Sequence, residues 1–179
     1  MVEISIPSDY GYVPVTPNSQ ASNPGSPPIE NHANHTTDVY RYAIAVSLGL
    51  IPVLGFAHGI VVGTFRKPAA VPYPHTYATV EQCKSNPKAY KFNCAQRAHA
   101  NFLENAPQTM LSILVAGVKY PQLAAGLGAA WVAFRVLFLH GYVYTDKPQG
   151  QGRYNGSLFW LVQGALWGLS VFGVARELM

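Results

Sequence analysis

The chain reads as an all-α integral membrane four-helix bundle preceded by a disordered N-terminal segment. Three observations carry this. Hydrophobic residues make up 49% of the 179 positions and charged residues only 11%, under half the roughly 25% usual in soluble domains. Beyond residue 40 the apolar runs are too long and too many for a soluble core of this size. Mean hydropathy is nevertheless only +0.10, because a polar stretch at the start dilutes it. The length suits one domain.

Residues 1–38 form the expected tail. Residues 14–38, "PVTPNSQASNPGSPPIENHANHTTD", are rich in Pro, Asn, Ser and Thr and have almost nothing to bury. No cleavable signal peptide is expected, since residues 1–9 lack a basic start and an apolar run. Membrane entry then falls to the first internal helix. Residues 39–179 form the bundle domain, with helices predicted over about 40–65, 92–118, 121–144 and 158–175. The first has no charge between Tyr42 and Phe65 and is long enough to span a hydrocarbon core of about 30 Å; Pro52 predicts a kink in it. The second contains Pro107. The third opens on Pro121, where a missing N–H costs least. Lys119 and Tyr120 form so short a turn that helices two and three should be antiparallel neighbours. Residues 66–91 read as a long polar loop and 145–155 as a short glycine-rich one. Gly126, Gly128, Gly164 and Gly168 predict close helix approach.

Charge sets an expected orientation. Arg66, Lys67, Lys84, Lys88, Lys91, Lys147 and Arg153 fall on one side of the membrane, against Arg41, Lys119 and Arg176 on the other. The positive-inside rule puts the basic loops in the cytosol and both termini in the lumen or outside. The sequon at Asn34 would then be open to glycosylation and that at Asn155 would not. The net charge of +4 is scattered, which argues against nucleic acid. Cys83 and Cys94 show no C-x-x-C or metal spacing and read as free thiols. No metal site is expected, because no histidine pairs with cysteine at ligand spacing.

The second helix carries the chemistry. Asn93, Arg97, Asn101, Glu104 and Gln108 follow steps of four, four, three and four, one stripe down one face. Charges at bilayer depth face a bundle interior or a wet cavity. Arg97 and Glu104 lie two turns apart, read as too far for a tight pair, so each is expected to find a partner elsewhere. Arg135 is one candidate for Glu104 and a ligand is another. Internally paired charges acting as helix glue remain the plainer alternative. A zwitterionic peptide with carboxylates would engage the arginine fork, the glutamate and the amides together, and glutathione is such a molecule. His99 lies about 200° round the helix from Arg97. It reads either as a packing histidine or as reaching a site on an adjacent subunit. An ion pathway is disfavoured, because Met110 to Val118 is free of charge.

"FNCAQRAHANFLENAP" at residues 92–107 resembles the helix-two motif of the MAPEG family, membrane-associated proteins in eicosanoid and glutathione metabolism. It is most similar to the third-type microsomal glutathione transferases. "DYGYV" at 9–13, "VPYP" at 71–74 and "AAGLGAAWVAFRVLFLHGY" at 124–142 resemble further parts of that subfamily. The resemblance implies a homotrimer in the endoplasmic reticulum or a related membrane, with glutathione held between subunits near the cytosolic face. It implies that Arg97, Asn101 and Glu104 hold the peptide, joined by Arg135 and Tyr142, with His99 reaching in from a neighbouring chain. Arg153 matches the arginine that stabilises the glutathione thiolate; a plain topology charge is the alternative. A nearby guanidinium lowers a thiol's pKa, and the thiolate is the nucleophile. The implied activity is glutathione transfer to a lipophilic electrophile, or reduction of a lipid hydroperoxide, arriving from membrane lipid. A non-catalytic lipid-binding or scaffold protein of the same fold is the alternative. The sequence departs from the family pattern in three places. Asn105 stands where an aromatic is common and Phe138 where a tyrosine is usual. Residues 14–40 also separate "YGYV" from helix one, and read as a lineage-specific tail or as retained intron sequence.

Overall fold

The computed structural model describes residues 39–174 and 176. The expected tail, with the sequon at Asn34 and the "DYGYV" motif, lies outside the described residues. Helix α1 spans Val39–Ala69, and Ala45–Leu50 within it is a π-helical turn. Pro52 lies two residues beyond that turn. One face of α1 is buried through Ala43, Val46, Ile51, His58 and Val62, while Leu48, Val53, Phe56 and Ile60 point outward. Ser47 Oγ donates to the Met110 carbonyl at 3.0 Å and Tyr40 OH to that of Leu114 at 3.2 Å. These bonds tie α1 to the third helix.

The segment expected as a loop is more ordered than its polarity suggests. α1 runs on to Ala69 and stops at Ala70, whose φ of 54° ends the helix. Arg66 then donates to the His75 carbonyl at 2.7 Å and stacks on Tyr73 and Phe92. A short helix α2, Val80–Ser85, starts on a reciprocal cap between Thr79 and Gln82. Helix α3, Pro87–Lys119, has 33 residues, about 50 Å. It begins earlier than predicted because Asn86 caps it and Pro87 takes the first turn, where proline is tolerated. Helix α4, Pro121–Tyr144, has the predicted bounds. Asn101 meets Arg135 and Ile113 meets Gly128, so α3 and α4 run antiparallel as expected.

The expected loop at 145–155 is largely a 3-10 helix, Pro148–Gly156, folded back on α4. Glycines permit this: a side chain at Gly152 would strike the Gly141 carbonyl, and one at Gly156 the Phe134 carbonyl. Gly150, at φ 64°, lies against the Tyr142 ring. Lys91 fastens the start of this connection, donating to the Thr145 carbonyl at 2.6 Å and pairing with Asp146 at 3.1 Å. Helix α5, Phe159–Gly168, continues as a π-helical turn, Leu169–Val174.

α1 and α4 are each long and apolar enough to cross a membrane, and the 3-10 helix with α5 qualifies as a pair bent by 45°. α3 has the length, but its polar stripe lowers its mean hydropathy. The core packs Trp131, Phe92, Phe102, Phe159, Ile51, Ile113 and Leu166. A polar chain runs from the core to the exposed Gln108. Trp131 Nε1 donates to Gln163 Oε1 at 3.1 Å, Gln163 Nε2 to Asn105 Oδ1 at 3.3 Å, and Gln108 Nε2 to the same oxygen at 3.2 Å. Of the four glycines expected to bring helices together, Gly128 does so within the chain. Gly126, Gly164 and Gly168 face open space. Gly117, against Tyr40 and Ala43, was the better candidate.

Candidate functional site

A cavity of about 580 Å³ opens between α3, α4, the 3-10 helix and the start of α5. Four residues singled out by sequence line it: Arg97, Asn101, Tyr142 and Arg153. Phe138, Gln149, Tyr154, Ser157 and Trp160 complete the wall. A further hollow of about 370 Å³, at Arg66, Lys67 and Ala70–Pro72, is an open surface depression at the end of α1 and gathers no comparable set of groups.

The fold-back of the 3-10 helix builds one side. Arg153 Nη1 donates to the Gln149 and Gly150 carbonyls at 2.9 and 3.0 Å, and Nη2 to Tyr154 OH at 2.9 Å. Its guanidinium lies 4.5 Å from the Tyr154 ring centroid and 5.5 Å from that of Tyr142. Gln149 and Gly150 both adopt positive φ, which turns their carbonyls toward the arginine. Arg153 is therefore held in place before any ligand arrives.

The α3 side corrects one expectation. Arg97 Nη1 and Glu104 Oε1 pair at 2.9 Å, with the two side chains 50% and 53% exposed. Seven residues return nearly to the same line on a helix, about 10 Å along the axis. Extended arginine and glutamate side chains reaching toward each other close that gap. Glu104 thus takes Arg97, and Arg135 takes another partner. Arg135 is fully buried, donates from Nη1 to Asn101 Oδ1 at 2.8 Å, and lies behind the cavity wall rather than on it. Its guanidinium sits 4.3–5.4 Å from the ring centroids of Phe159, Phe138, Phe102 and Trp131, an arrangement that favours a cation.

His99 faces α1, its ring centroid 6.1 Å from that of buried His58. Neither it nor Glu104 lines the cavity. Asn93, the first member of the stripe, serves the fold: it exchanges hydrogen bonds with the backbone of Ala78 at 2.8 and 2.9 Å and donates to Cys83 Sγ at 3.3 Å. Burial pushes the Cys83 thiol up, so it stays protonated. Cys83 and Cys94 are both free. Among the described residues, no three His, Cys, Asp or Glu side chains converge as metal ligands would. Sequence reasoning missed Tyr154 and Trp160 as site residues. The signal available was the glycine spacing at 150, 152 and 156, which lets the chain return to α4.

The cavity therefore combines two arginines, two amides and two phenols with the rings of Phe138 and Trp160. The MAPEG family model matches residues 44–172, which takes in every element lining it. The chain belongs to the MAPEG family. Family membership makes it a membrane protein whose functional theme is glutathione and eicosanoid metabolism. For a MAPEG protein the outward-facing Arg97–Glu104 pair is notable, because it sits on a helix of a membrane bundle.

Proposed function

We propose that this MAPEG protein is a glutathione transferase of the third microsomal type, with glutathione peroxidase activity toward lipid hydroperoxides. The observation that carries this reading is the convergence of Arg97, Asn101, Tyr142 and Arg153 on one cavity. Its volume lies in the range of small-ligand sites, about 300–1,000 Å³. The arginines suit the carboxylates of the tripeptide. Phe138 and Trp160 offer the acceptor an apolar wall. Arg153 stabilises the glutathione thiolate, with no proton-abstracting base needed. In conjugation the sulfur bonds to the electrophilic carbon, the leaving group departs as an anion, and the thiol proton passes to solvent. In peroxide reduction the sulfur attacks the O–O bond and releases an alcohol. A second glutathione then yields the disulfide and water.

Glu104 holds Arg97 ready and, in the assembly, contacts the peptide; His99 reaches the site of a neighbouring subunit. The same α3 face supports assembly as a homotrimer. Half-exposed charges on a membrane helix are expensive against lipid, and neighbouring copies cover them. The protein resides in the endoplasmic reticulum or a related membrane, with the basic loops cytosolic. Asn155, beside Lys147 in such a loop, then stays unglycosylated.

The test is conjugation of glutathione to 1-chloro-2,4-dinitrobenzene, with reduction of a fatty-acid hydroperoxide in parallel, by protein in lipid nanodiscs. Turnover in either supports the enzyme. Tight glutathione binding without turnover supports the second reading, a non-catalytic lipid-binding or scaffold protein, which the hydroxyl-free Phe138 in the cavity wall favours.

A further inference from the structure

Arg135 is completely buried, and its one protein hydrogen bond among the described residues goes to Asn101 Oδ1. Its Nε and Nη2 are also buried and take no hydrogen-bond partner. The rings of Phe102, Trp131, Phe138 and Phe159 pack round its guanidinium. A guanidinium carries donors and no acceptor. The atom of Asn101 that faces it must therefore be the oxygen, whichever way the amide is drawn. The Nδ2 group is then the end left for the cavity that Asn101 lines. A ligand ammonium at Asn101 would have to share Oδ1 with a buried cation, like charge beside like charge. A ligand carbonyl or carboxylate oxygen would meet two free N–H groups.

We infer that Arg135 is a positioning residue that fixes the polarity of Asn101, so that Asn101 recognises a hydrogen-bond acceptor on the bound ligand, a peptide carbonyl or a carboxylate. The inference rests on the glutathione reading for the identity of that ligand. It moves Arg135 from touching the ligand to acting through Asn101. It also narrows Asn101 from a residue serving donor and acceptor alike to a donor.

Four variants in nanodiscs test this: Asn101→Asp, Asn101→Ala, Arg135→Gln and Arg135→Lys, with glutathione KM, electrophile KM, kcat and Tm read for each. Asn101→Ala is expected to raise glutathione KM about fivefold to tenfold, the worth of one such bond, leaving electrophile KM unchanged. Asn101→Asp keeps the partner of Arg135 but turns an acceptor toward an acceptor, so its loss exceeds that of Asn101→Ala. Arg135→Gln frees the amide to flip and raises glutathione KM similarly, with kcat little changed. Arg135→Lys, still a pure donor, recovers part of that loss. Adding Asn101→Ala to Arg135→Gln costs no more than the worse single change. An Asn101→Asp protein that binds glutathione like wild type overturns the inference, as do single losses that multiply in the double variant. If Arg135→Gln fails to fold, Asn101→Asp decides alone. Absence of glutathione binding by the wild type defeats the functional reading instead. The Tm values of the apo proteins then decide the Arg135–Asn101 link, and losses that simply add in the double variant overturn it.

Discussion

Helix α3 carries polar groups on two flanks and treats them in opposite ways. On the outer flank Arg97 and Glu104 form a half-exposed pair. On the inner flank Asn105 is buried and spends its oxygen on Gln163 and Gln108 and its nitrogen on the Asn101 carbonyl. Thr109 and Ser112 bond back to their own helix, and Ser170 reaches the Ser112 carbonyl from the π-helical turn after α5. The inner groups are satisfied within the chain and specify which helices meet. The outer pair is half exposed and so within reach of a ligand. A residue that must greet a ligand stays where its bonds can be replaced. A residue that must fix a bundle closes every bond it has.

Substitutions on the two sides should separate function from stability. The largest effect falls on the cavity that Arg97 of the outer flank lines, at the 3-10 helix facing it. Arg153→Ala is expected to lower kcat about 100-fold, the scale for removing one donor to a reacting anion, with a small change in glutathione KM. Steady-state kinetics read this, and unchanged turnover breaks the assigned role. Next comes the seam that carries Arg153. Gly152→Ala forces a methyl group into the Gly141 backbone, and overpacking of this kind costs about 1–3 kcal/mol. Thermal melting should fall and turnover with it, because the same seam places the arginine. On the inner side, Gln163→Leu leaves Trp131 Nε1 and Asn105 without their shared partner. Its expected cost is about 1–2 kcal/mol of stability with glutathione affinity unchanged. Loss of affinity at unchanged stability would erase the distinction between the flanks. The smallest effect belongs to Glu104→Gln: at most about 1 kcal/mol of stability for a half-exposed pair, read by thermal melting, with a modest rise in glutathione KM.

Much of this was legible in sequence. Pro121 and the break after Tyr144 bounded α4 correctly. Two members of the stripe on α3, Arg97 and Asn101, line the cavity with Tyr142 and Arg153; Asn93, Glu104 and Gln108 do not. What stayed hidden depends on contacts between elements. The Arg97–Glu104 pair depends on the reach of two extended side chains. Arg135 looked like a ligand contact until its aromatic surroundings were seen. Gln163 was a lone amide in an apolar run whose partners, Trp131 and Asn105, lie on other helices. Tyr154 and Trp160 enter the cavity only because three glycines let the 3-10 helix lie on α4.

The central claim is that the outer flank of α3 holds the thiol peptide. Glutathione binding to the protein in lipid nanodiscs, measured by calorimetry for wild type and for Arg97→Ala, tests it most directly. The account predicts saturable binding by wild type and at least about tenfold weaker binding by the variant, since a bond to a charged group is worth roughly 1.5–3 kcal/mol, at an unchanged melting temperature. No binding by wild type, or equal binding by both, would contradict it.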